Sequence, residues 1–479
     1  MIERKRDLTL IVVVGTLLLA GIGFDLATGD VTPTPPERTA AAFYERAQFC
    51  PSRILEGAEA QVSIASASPE PIPAVLEPME GDPLELAAGS TVTRSIESQD
   101  PVAVEGYGAP VAAATSHFVD TRIGRSGNVA GTGAGNCATE ASQSWYFPSG
   151  DSSVATDYRL VIANPFPDEA VAQISFLTSE GEETSAQLSE VAVPAGQVEV
   201  ASISGAAIPQ DLLSVRLHSA RGRLVAWKAL WTKPEGGVPG LEFTRGAPAP
   251  ATEWFFPAGE VSGRARQTIT LMNPNEEESS VSVTLSTSEE PVQSSKLLEI
   301  AVPPQSSKRL VIQDRLDSKS GNVGGISAVV SVDNDVPVVA ESTTAFDDDD
   351  LTGRITEIGS TEVSDRWLLA SPSGSADPAV DALVIQNPSG DEATVDVSIY
   401  GARGDEGAAP TSPERLQGIT VAPGLRVSIP LEDFAVSRGS WLEVVATGGE
   451  VVAERVTFNR GRSDVSSVMG QPDFGKPIS

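Results

Sequence analysis

Histidine, cysteine and aromatic side chains are scarce in this chain, and each shortage excludes a kind of chemistry. His117 and His218 are the two histidines in 479 residues. They fall in separate strand-like segments, so a His-dependent triad or a multi-His metal centre lacks members, and both read as strand-face side chains. No G-x-S-x-G, H-E-x-x-H or phosphate-cradling glycine loop occurs. Basic residues are also short, 33 against 65 acidic ones, for a net charge of −32. A surface of that sign keeps a protein soluble and repels phosphate backbones, so nucleic acid is not an expected partner.

Long apolar runs are missing too, with one exception. LTLIVVVGTLLLAGIGF spans Leu8 to Phe24 behind Arg4, Lys5 and Arg6. As a helix it would reach about 26 Å, enough to cross a bilayer's hydrocarbon core. The basic flank makes residues 1–7 a cytoplasmic tip, 8–24 a transmembrane helix, and everything after Asp25 extracytoplasmic. A retained anchor is favoured over a cleaved signal peptide, because the run is long and no A-x-A site follows it directly. Residues 25–42, rich in Pro and Thr, read as a stalk.

The two cysteines, Cys50 and Cys137, both lie on the exported side. In an oxidising compartment such a pair is most simply a disulfide, worth about 4 kcal/mol on the chain-entropy account. The alternative is two unrelated buried thiols. Neither residue has metal-ligand spacing.

What is abundant is repetition. WYFPSG at 145–150 returns as WFFPAG at 254–259 and, more loosely, as WLLASPSG at 367–374. Each opening is followed in the same order by a strand ending in Asn-Pro, an alternating strand, a VAVPAG-like strand and a closing hairpin. Trp to Asn spans 19 residues in two copies and 20 in the third. A weaker first copy, opening at FCPSR without the Trp, places Cys50 in its first strand and Cys137 just past its last.

Apolar and polar residues alternate within the blocks, as in Val281, Val283 and Leu285 against Ser282, Thr284 and Ser286. This period of two puts one face in a core and the other in water. Asn-Pro at 164, 273 and 387 should end a strand, and Asp333-Asn334 and Gly448-Gly449 should supply hairpin turns. The expected fold is all-β: tandem antiparallel β-sandwiches of immunoglobulin-like size after one N-terminal transmembrane helix. The repeats cover 43–140, 141–250, 251–362 and 363–479, strung as a rod. Trp145, Trp254 and Trp367 are expected in the cores.

The Trp-aromatic-Phe-Pro opening, the Asn-Pro strand end, the Val-Pro-Ala-Gly strand and the Val-Val-Ala-Glu strand occur together behind a single anchor. This combination resembles a family of uncharacterised membrane-anchored or secreted proteins of high-GC Gram-positive bacteria, known only as a domain of unknown function. The resemblance implies an envelope location and assigns no catalytic residues.

Candidate sites are few. Asp347, Asp348, Asp349 and Asp350 form the densest charge and are a weak calcium candidate, with a solvated acidic loop as the plainer reading. Arg403-Gly404-Asp405 is a chance-prone tripeptide. No catalytic residue, metal site or cofactor is assigned. The expectation is a membrane-tethered, non-enzymatic interaction or scaffold protein of the cell envelope, whose partner is an unidentified envelope protein or glycan. One alternative is a glycan-binding module using Tyr146, Phe255 or Trp441. Another is an envelope-processing enzyme, which would need a cleft with convergent carboxylates.

Overall fold

The computed structural model describes residues 47–51, 59–66, 68, 70–77, 84–96, 101–106, 111–119, 131–178, 181–317, 323–349, 351–370, 380–401, 410–434, 436, 439–459 and 464–472. The apolar run at 8–24, the stalk, Arg403-Gly404-Asp405 and Asp350 lie outside them. Among the described residues no helix is long and apolar enough to cross a membrane.

Alternation becomes strand as expected. In Ser279–Ser286, Val281, Val283 and Leu285 are buried and Thr284 is exposed. The third repeat shows the plan. One sheet runs Glu253–Val261, Gly324–Val332, Ser279–Ser286, Pro291–Val292, with Ile300–Val302 also paired to Ser279–Ser286. The other runs Ser306–Val311, Ala265–Asn273, Val339–Asp348, Leu351–Ile358. Trp254, Val283 and Ile326 from the first sheet meet Ile269, Leu271 and Leu310 from the second in one core. The other three repeats also contribute two antiparallel sheets each.

The repeated motifs make the same bonds in each repeat. Trp145, Trp254 and Trp367 are buried, and each indole N–H donates to the carbonyl where its own closing hairpin begins: Leu224 (2.8 Å), Val338 (2.9 Å) and Val451 (2.7 Å). Buried Asn164, Asn273 and Asn387 do more than start turns. Each side-chain amide donates to two carbonyls, one in the adjoining turn (Asp168, Glu277, Asp391) and one on the following short strand (Val193, Val302, Val421). A buried amide must be bonded on every side to be stable, and these are.

The first repeat meets the same constraints with different residues. Gln48 stands where the others have Trp, and its Nε2 donates to Val111 O at 2.5 Å while Oε1 accepts from Ala113 N. Phe147 and Phe256 lie over Gly246 and Gly359, where an added Cβ would come within 2.7 Å of the ring. The matching positions in the first repeat are Cys50 and Cys137, joined as a disulfide.

Three details differ from expectation. Pro148 follows the end of its strand, but in the third repeat the strand continues through Pro257 with a register shift between Phe256 and Gly259. In the 333–335 turn the positive φ falls on Asp335, not on Asp333-Asn334, whereas Gly448 takes it as expected. The largest difference is that the repeats do not form a rod.

The last strands of the repeats, Gly131–Asn136, Gly240–Arg245, Leu351–Ile358 and Asp464–Met469, each form one edge of a sheet. The first packs on the second, the second on the third, the third on the fourth, and the fourth on the first. The four repeats therefore close into a ring around these axial strands. Glycine makes the approach possible. A Cβ at Gly131 would lie 2.8 Å from Leu241 N, at Gly240 3.1 Å from Arg354 N, and at Gly353 3.0 Å from Val465 N. The same position in successive repeats faces the next residue of the neighbouring strand. At the seam between fourth and first repeats, Asn136 Nδ2 donates to Met469 O (2.5 Å), Gln471 Nε2 to Ala113 O (2.7 Å) and Trp441 Nε1 to Ser63 Oγ (2.8 Å).

Candidate functional site

The Val-Val-Ala-Glu strand sets a carboxylate at the point where apolar alternation calls for a core residue. Both copies of that Glu are buried, and both reach back to the opening segment of the preceding repeat. Glu341 Oε2 accepts from Ser149 N at 3.2 Å, and Glu454 Oε2 accepts from Ala258 N at 3.1 Å. These two bonds sit at equivalent places in the second–third and third–fourth junctions.

At the second–third junction the carboxylate is neutralised. Lys228 Nζ pairs with Glu341 and bonds the Ser149 hydroxyl at 3.0 Å, while that hydroxyl donates to Glu341 Oε1 at 2.6 Å. Glu242 accepts from Arg354 Nε at 2.5 Å and from the Thr356 hydroxyl at 2.6 Å. Burial pushes the Glu242 carboxyl up, but Arg354, Lys228 and Thr356 outweigh it and hold it below its usual value. Both carboxylates here are paired with a cation and a hydroxyl, as a buried ion network must be to be tolerated, although burial still outweighs Lys228 and raises Glu341.

The third–fourth junction is different because it is hollow. A cavity of 360 Å³ lies between the repeats, with Glu357, Glu454 and Arg426 in its wall, Ser342, Thr344 and Ser428 as hydroxyls, and Phe346, Ile355 and Phe458 among its apolar lining. Phe346 and Phe458 meet edge to face, centroids 5.7 Å apart. The Ser467 hydroxyl donates to Glu357 Oε1 at 2.8 Å and also acts on Glu454, lowering that carboxyl against the effect of burial. Burial pushes Glu357 well above the ordinary range, and the Glu454 charge adds to this. Burial likewise raises Glu454 to about 7. Arg426 donates through Nη1 to Ile326 O (2.8 Å) and Gly259 O (3.3 Å), and burial lowers it to about 10.

The residues singled out from the sequence fall elsewhere. Cys50 and Cys137 form the expected bond. Asp347, Asp348 and Asp349 occupy the hairpin between two strands of the third repeat, and among the described residues no group of three or more His, Cys, Asp or Glu is placed to hold a metal. Tyr146, Phe255 and Trp441 are 8 %, 7 % and 0 % exposed, which removes them as sugar-stacking surface aromatics. Each faces a neighbouring repeat, a partner that one repeat's alternation does not reveal. His117 is buried and His218 exposed on its strand, with Ser144 Oγ at 3.3 Å. Sequence reasoning missed Arg426, Glu357 and Glu454. The signal available for Glu454 is a charge inside an apolar run, VVAE; Arg426 and Glu357 carry none.

The family of unknown function DUF5719 matches residues 92–228 and 325–454, more than half of the chain. The chain belongs to this family. Each DUF5719 match begins inside one repeat and ends on the closing hairpin of the next. No curated protein matches this DUF5719 chain. Among solved structures, a Thermotoga maritima protein is similar at 22 % identity over 24 % of the chain and 96 % of its own length, TM-score 0.21. The Anabaena sensory rhodopsin transducer is similar at 21 % identity over 20 % of the chain and 96 % of its own, TM-score 0.17. A Streptomyces avermitilis α-L-rhamnosidase is 10 % identical over 85 % of the chain and 56 % of its own, TM-score 0.13.

Proposed function

We propose that this DUF5719 chain is a membrane-tethered, extracytoplasmic, non-enzymatic interaction protein of the cell envelope, its ring acting as a platform for an envelope protein or glycan. The apolar run at 8–24 with its basic flank supports the tether. The observation that carries the interaction reading is the outer edge of the ring. In each axial sheet the edge strand opposite the axis is Thr91–Ser95, Gln197–Ser202, Ser306–Val311 or Arg426–Pro430. Thr91–Ser95 and Gln197–Ser202 are largely exposed. A free edge offers unpaired ladder groups to an incoming extended segment.

Two measurements test this. A cysteine at Val154, which is 89 % exposed, should react with a membrane-impermeant maleimide on intact cells; protection until lysis would remove the extracytoplasmic placement. Photocrosslinking residues at Thr93 and Glu199 should give a discrete adduct in the native envelope. If neither edge yields one, the platform reading fails. A second reading, small-ligand binding, is favoured by the cavity at the third–fourth junction.

A further inference from the structure

Arg426 is the one feature of that cavity its surroundings do not account for. The residue is 6 % exposed, its recorded bonds go to two carbonyls, and its Nε has no partner among the described residues. A guanidinium out of water is costly unless an anion meets it. The nearby carboxyls are otherwise engaged. Glu260 pairs with Arg264 at 2.9 Å and accepts from Ser262 at 2.7 Å, while Glu454 accepts from Ala258 N. The equivalent junction between second and third repeats shows what satisfaction looks like, since there Lys228 has its carboxylate.

We propose that the cavity between the third and fourth repeats binds a small organic carboxylate, its carboxylate on Arg426 and its apolar body against Phe346, Ile355 and Phe458. The inference rests on reading this cavity as a ligand pocket. A planar guanidinium with a free N–H matches a carboxylate in geometry and charge. Burial pushes the Glu357 carboxyl above its usual value, and a single anionic group balances Arg426. A neutral sugar would offer hydroxyl acceptors but no charge to balance the guanidinium. A phosphate dianion would bring a second negative charge beside Glu260 and Glu454 with no second free cation among the lining residues.

The test is calorimetric titration of the full-length chain with benzoate and with benzamide, which share shape and differ in charge. Benzoate should bind about ten- to a hundredfold more tightly than benzamide. Arg426→Gln should abolish that preference. Arg426→Lys, which keeps the cation and loses the fork, should weaken benzoate by about tenfold and serves if the Gln variant misfolds. Ser428→Trp, on an exposed position of the cavity wall, should block both probes without moving the melting temperature. Equal binding of acid and amide would overturn the ligand class and leave the pocket standing. Binding of neither would remove the pocket itself. Native-strength benzoate binding in Arg426→Lys would overturn the role of Arg426.

Discussion

The first repeat and the three that follow build the same sandwich from different chemistry. Where Trp145, Trp254 and Trp367 fill a core and tie off a carbonyl, Gln48 ties off the same carbonyl and fills far less space. Where Phe147 and Phe256 cover a glycine, Cys50 is bonded to Cys137. The polar requirement at the start of the closing hairpin is thus common to all four repeats, and the apolar volume is not. A unit that buries less can still hold if its unfolded form is restricted, which is what a cross-link does.

The comparison breaks most severely at the tryptophan. Trp254→Ala should cost about 3–5 kcal/mol, since it empties a filled core and removes the indole bond to Val338 O, leaving that carbonyl only Ala251 N; chemical denaturation with amide exchange should localise the loss to the third repeat. Next comes the cross-link. Replacing both Cys50 and Cys137 by Ala should cost about 2–4 kcal/mol, localised to the first repeat, whereas the pair Cys50→Phe with Cys137→Gly should recover part of it by importing the other repeats' solution. An equal loss in both double variants would mean that the positions are not interchangeable. Gln48→Ala should cost less than the Trp change, about 1–3 kcal/mol, because it removes two buried hydrogen bonds and little volume.

The smallest net effect is on pH, because two buried groups oppose each other. Burial holds Glu454 protonated up to about 7, while the unfolded chain releases that proton near 4.5. The folded state binds the extra proton in that window, so stability falls as pH rises through it. Glu357, raised by the same cause, acts with the same sign. Burial lowers His117 to about 3 from 6.5, and its ring lies 4.5 Å from that of Phe243. Here the unfolded chain binds the extra proton, so stability falls as pH drops below about 6.5. Melting curves should show Glu454→Gln flattening the loss on the alkaline side and His117→Asn the loss on the acid side. A wild-type profile unchanged by either substitution would exclude both groups as its source.

Much of the architecture was legible because it is local. Alternation at Val281, Val283 and Leu285, Asn before Pro, and Trp at a fixed interval are all properties of one repeat. Ring closure is not. Gly131, Gly240 and Gly353 look like ordinary turn or strand glycines until the neighbouring backbone is known to lie against them. The cavity was illegible for the same reason. Phe346 and Glu357 come from one repeat, Arg426 and Glu454 from the next, and only closure brings them together. Tyr146, Phe255 and Trp441 are hidden on the same account, each against a neighbouring repeat.

Ring closure also has a mechanical consequence. Three of the four junctions are crossed by the chain itself, so they stay joined even if their packing is lost. The seam, held by Asn136 with Met469, Gln471 with Ala113 and Trp441 with Ser63, is a latch without a covalent thread. A force pulling the circle apart would release that latch before it parted any of the other three, and would turn the closed circle into an open chain of four sandwiches.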